Sequence, residues 1–74
     1  MTRKEATMSM LIDAIKNVSN LRDALDRAEY EIFFIQHTIR HTNEQVRRAK
    51  AHRDDLARAL NIAIDARDVL ASQI

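Results

Sequence analysis

Ile39-Arg40-His41-Thr42-Asn43-Glu44-Gln45-Val46 is where the chain's helical pattern carries the side chains suited to ending one helix and starting another. Thr42 is followed three residues on by Gln45. In that reciprocal pattern a hydroxyl accepts from one unpaired backbone N–H of a new helix while the amide reaches back to another. Arg40 and His41 suit the negative end of a helix that stops there, and Glu44 the positive end of one that begins. Thr2 and Glu5 repeat the same box near the N-terminus. These signals predict a single domain over 1–74, with a helix over about 3–41, a turn over about 42–44 and a helix over about 45–73.

Working outward from the turn, apolar residues recur at alternating spacings of three and four. One row (a) holds Leu11, Val18, Leu25, Ile32, Ile39, Val46, Arg53, Leu60, Arg67 and Ile74. The other (d) holds Ala14, Leu21, Ala28, Ile35, Thr42, Ala49, Leu56, Ala63 and Leu70. Only Thr42, Arg53 and Arg67 break the apolar character, and a seam this sustained is a coiled-coil signature. Folded at the turn, the seam becomes an antiparallel helical hairpin, and two registers satisfy it. A centre near residue 44 sets Ala28 against Leu60, Leu25 against Ala63, Ile39 against Ala49 and Ala14 against Ile74. A centre near 40 sets Ala28 against Arg53 and Ala14 against Arg67, leaving room for the basic stems. A continuous rod, or a third helix split off at Ser19-Asn20, are the competing arrangements.

Composition narrows the class to all-α. The chain has 74 residues with no Gly, Pro or Cys, against about nine Gly and Pro expected at average usage. Phosphate-cradling loops, nucleophile elbows, disulfides and thiolate metal sites have no residues to build them. Three aromatic residues and no β-branched runs argue against a sheet. The net charge of +1 provides no global field toward nucleic acid or an acidic membrane. There is no apolar run for a membrane span and no signal-peptide pattern, so a cytoplasmic location is expected. Ser9, Ser19 and Ser72 lack a catalytic setting, and no carboxylate pair sits in a predictable cleft. No enzyme, cofactor or small-molecule substrate is expected.

The seam leaves apolar residues unused. Met8, Ile15, Ala57, Ile64 and Ala71 fall on one row beside it (e), with Ile12 just beyond at b. In a hairpin these gather into one lateral face at the open end, suited to a helical protein partner or to self-association into a bundle. Tyr30, Phe33, Phe34 and His37 share a helical face turned from the seam, which reads as oligomer core, as a protein contact, or as a stacking surface for bases. Arg40, Arg47, Arg48 and Lys50, with Arg53, make the chain's one charge asymmetry and a candidate phosphate contact. His37 and His41 stand at a metal-pairing interval, but with no third ligand on a continuous helix no metal is expected.

Asn43-Glu44-Gln45 through Asp55-Leu56-Ala57-Arg58-Ala59-Leu60-Asn61-Ile62-Ala63-Ile64 resembles the second helix of the small co-chaperones of type III secretion needle proteins. The Met1-Thr2 start followed by an amphipathic helix is similar too. The likeness covers about half of the chain and departs from the family in lacking a turn glycine and in having Val46 where an aromatic residue follows Gln45. It implies a hairpin that pairs with a larger helical-repeat chaperone to keep a needle subunit unpolymerised. Met8, Ile12, Ile15, Ile64 and Ala71, with Phe33 and Phe34, would then meet the chaperone. Met1-Thr2-Arg3-Lys4-Glu5 and the alanine-spaced seam also look like the plasmid copy-number regulators of the repressor-of-primer type. That likeness implies a dimeric RNA-binding hairpin using Arg40, Arg47, Arg48 and Lys50. A phage accessory or scaffolding coiled coil is a third class.

Overall fold

A computed structural model describes residues 2–38 and 42–74. Two helices, α1 (Arg3–Gln36) and α2 (Asn43–Ser72), lie against each other as an antiparallel hairpin of 58 × 15 × 14 Å. Rod and three-helix arrangements are thereby replaced by the expected all-α hairpin; α1 runs through Ser19 and Asn20 without a break.

Both helix starts are fixed by the boxes read from sequence. Thr2 Oγ1 accepts from the Glu5 N–H at 3.1 Å and the Thr2 N–H donates to Glu5 Oε2 at 3.4 Å. Thr42 Oγ1 accepts from the Gln45 N–H at 3.2 Å while the Thr42 N–H donates to Gln45 Oε1 at 2.9 Å. Each box satisfies N–H groups that a first helical turn leaves unpaired.

The end of α1 differs from expectation. The helix stops at Gln36, not near 41, because side chains just past it take over its last carbonyls. His37 donates from both its backbone N–H (3.1 Å) and Nδ1 (2.7 Å) to the Phe33 carbonyl, and Thr38 Oγ1 donates to the Phe34 carbonyl at 2.7 Å. Those bonds supply the termination that a glycine usually provides, and no described residue needs a positive φ. Asn43 and Glu44, expected in the turn, already belong to α2, with Glu44 in its first turn. Ile39, Arg40 and His41 lie outside the described residues, so the roles assigned to Arg40 and His41 at the helix end do too.

Packing follows the seam. Among the described residues the six buried ones, Val18, Ala28, Ile32, Ala49, Leu60 and Ala63, all come from its two rows. Val18, Leu60 and Ala63 form a cluster, with Leu21, Leu25 and Ile64 packed onto it. Val18 beside Leu60 and Ala63, and a cleft that joins Ile35 to Gln45 and Ala49, fix the register about residue 40. The register about residue 44 is excluded. It would set Arg53 on Ile35 and Arg67 on Leu21, two long basic stems on large apolar side chains, whereas the observed one sets them at Ala28 and Ala14. The guanidinium groups of Arg53 and Arg67 then turn out to Asp54 (2.9 Å) and Asp68 (3.2 Å), their side chains 35% and 31% exposed.

Candidate protein-docking surface

The register decides which flank residues meet. On one side of the seam it brings Met8 level with Ala71 and Ile15 level with Ile64, so the open half of the hairpin carries one apolar flank shared by both helices. Met8, Ile12 and Ile15 are 44–49% exposed, Ala71 is exposed, and Ala57 is half-buried. Ile64 is half-buried against the Val18 cluster and ties the flank to the core. Met8 and Ile12 also line a shallow, open depression with Thr2, Lys4, Glu5 and Ser9.

Tyr30, Phe33 and Phe34 do not join this patch. They sit near the turn, more than half exposed, about four helical turns or more from Ile15 along α1. The Phe33 ring stacks on the His37 imidazole with centroids 4.0 Å apart. Since the Phe33 carbonyl can only accept, His37 carries its proton on Nδ1 in that bond, and the ring is held as the end cap of α1.

The basic residues of α2 are partly occupied. Arg47 and Arg48 both bind Glu44, at 2.6 and 3.0 Å, so one carboxylate offsets two guanidinium groups. Lys50 is exposed and makes no ion pair. Arg40 lies outside the described residues. Among the described residues no group of three or more His, Asp or Glu side chains is arranged to hold a metal ion, and no helix is long and apolar enough to cross a membrane.

Sequence reading overlooked a second apolar flank. Met10, Ile62 and Val69 lie on the opposite side of the seam, 57–70% exposed. The signal was present: Ile62 and Val69 are one heptad apart, and Met10 lies near Val69 in the same register. They were passed over because they fall outside the widened stripe on the other side. The open half is therefore apolar on both flanks.

Comparison with known proteins found no matching family model, no matching curated protein and no matching solved structure.

Proposed function

We propose that this hairpin is a non-enzymatic docking module whose open half presents an apolar flank to a helical protein partner. The observation that carries the reading is the contrast between a thin core and rich flanks. Every seam residue that is buried keeps some solvent contact, down to 3% at Val18, while Met8, Ile12, Ile15, Met10, Ile62 and Val69 stand exposed around the same half. Six large apolar side chains at one end of so small a chain, three on each side of the seam, make that end the most apolar surface described and the place where an interaction site is expected.

The resemblance to the needle-protein co-chaperones supplies a specific candidate for the partner: a larger helical-repeat chaperone, with the hairpin helping to cover an apolar helix that would otherwise polymerise. The mechanism is steric, and it asks for apolar area and shape rather than chemistry. An RNA-binding role has less support, because Glu44 already engages Arg47 and Arg48 and leaves Lys50 as the one free cation of that group among the described residues.

Affinity capture on the tagged chain, with Ile12→Glu as its paired control, tests the reading. Recovery of a helical protein by the native chain and its loss with the variant is the expected result. Equal recovery by both, with circular dichroism showing both folded, would refute docking through this flank.

A further inference from the structure

We infer that the hairpin opens at its connection and exchanges α2 with a second copy, so that two straightened chains pair antiparallel as one long coiled coil. In such a swapped pair each α1 lies against the α2 of the other copy and makes the contacts it makes in the closed hairpin. The seam and the connection support this independently of the docking reading.

The seam keeps one phase through the connection. A closed hairpin asks nothing of the phase between its helices, because turns of many lengths bring the two stripes face to face. A continuous rod does ask it: the stripe stays on one side only when whole heptads separate the seam residues. Ile32 and Val46 are two whole heptads apart, and so are Ile35 and Ala49. Of these, Ile32 and Ala49 are buried, one on either side of the connection. Ile39, outside the described residues, is the apolar residue at the intervening place of the first row. The pairing centre near residue 40 falls within the connection, where it would become the twofold axis of the swapped pair.

The connection also carries nothing that forbids a helix. Residues 37–42 include no Gly or Pro, and no described residue has a positive φ. The turn is therefore held by side-chain bonds rather than by backbone that only a special residue adopts. Those bonds run from His37 Nδ1 and Thr38 Oγ1 to the carbonyls of Phe33 and Phe34, and within the box between Thr42 and Gln45. The His37 N–H already donates to the Phe33 carbonyl at 3.1 Å, the pairing of a continuing α-helix. Thr42 is extended, at φ −107° and ψ 157°, and has to rotate into the helical region. Straightening trades cap bonds for helical ones and leaves the paired surfaces unchanged, so protein concentration decides between the two forms.

Because the chain has no cysteine, thiols at facing seam places report which chain each helix is paired with. Ala28→Cys combined with Arg53→Cys puts two thiols in one layer of the seam. Refolded under reducing conditions over a dilution series and then oxidised, this variant is expected to give an internal disulfide at 8.6 kDa when dilute and a disulfide-linked pair of twice that mass when concentrated. Small-angle X-ray scattering of the concentrated native chain should show a particle about 105 Å long, the helical rise from Arg3 to Ser72, against 58 Å for the closed hairpin. Two alanines inserted after Thr38 turn a continuous helix by about 200° but only lengthen the turn of a hairpin, so the linked pair should be lost. Seven helix-forming residues inserted there restore the phase and should restore the pair. A native chain of 8.6 kDa at every concentration, or internal disulfides alone, overturns the exchange. A dimer whose disulfides stay within each chain, a linked pair that survives the two-residue insertion, or a seven-residue insertion that fails to restore it overturns the straightened form.

Discussion

Replacing Thr42 by alanine removes the acceptor for the Gln45 N–H, a bond of 3.2 Å, but leaves the Thr42 backbone N–H, which still donates to Gln45 Oε1. Loss of a helix cap of this kind costs about 1 kcal/mol, within a range of 0.5–2. A chain of this length has a total stability of roughly 4–11 kcal/mol, so the loss is a visible fraction, equivalent to a fall of about 4–8 °C in Tm. Gln45→Ala removes the other half of the box. Because each side chain holds the other's geometry, the double variant should lose less than the two single losses added together. Thr2→Ala deletes the equivalent bond at the N-terminus of α1, where the helix can fray without disturbing the pairing of α1 with α2. It should shift Tm by less than half as much as Thr42→Ala. Thermal and urea unfolding followed at 222 nm, at one fixed protein concentration, measures all four variants. Equal shifts for Thr2→Ala and Thr42→Ala, or none for Thr42→Ala, would mean that the box at Thr42 does not hold the hairpin closed.

Leu60→Ala, in the cluster with Val18 and Ala63, should destabilise by about 2–5 kcal/mol in urea unfolding, and a loss below 1 kcal/mol would show that the cluster is not the core. Arg53→Met keeps an unbranched stem over Ala28 and gives up an exposed pair with Asp54 worth about 0–1 kcal/mol; a urea midpoint equal to or above that of the native chain is expected, and a clear fall would mean that the guanidinium matters beyond its stem. Val69→Glu, on the second flank, should leave recovery of a helical partner by the tagged chain unchanged, while Ile15→Glu should lower it; the reverse order would exchange the roles of the two flanks.

Much of the fold was legible because the seam repeats with a strict period and both starts carry reciprocal boxes. All six residues buried among those described lie on the two rows read from sequence. The register was not decided by the same pattern, since small residues face large ones at either centre. It is decided by two arginines whose length fits only over Ala28 and Ala14, a three-dimensional volume constraint that periodicity does not encode. The end of α1 was misplaced for a different reason: His37 and Thr38 bond backward to carbonyls four residues earlier, and polar residues at those positions look the same in sequence whether a helix continues or stops. Of the surface, the flank from Met8 to Ala71 was legible as an extra stripe. The flank with Met10, Ile62 and Val69 was not, because its members sit on the outer rows of two helices and become neighbours only once the register is known.

With a single short connection between the two helices, the pairs nearest it are close in sequence and those at the far end are very distant: Ile35 is only ten residues from Gln45, but Val18 is more than forty from Leu60. Closing the near pairs first keeps each loop short, so the entropy of ring closure favours zipping from the connection outward. The open half is then last to form and first to part, and its amides should exchange with solvent ahead of those around Ile32 and Ala49. Any molecule seated on that half would act as a clasp, slowing exchange there more than anywhere else in the chain.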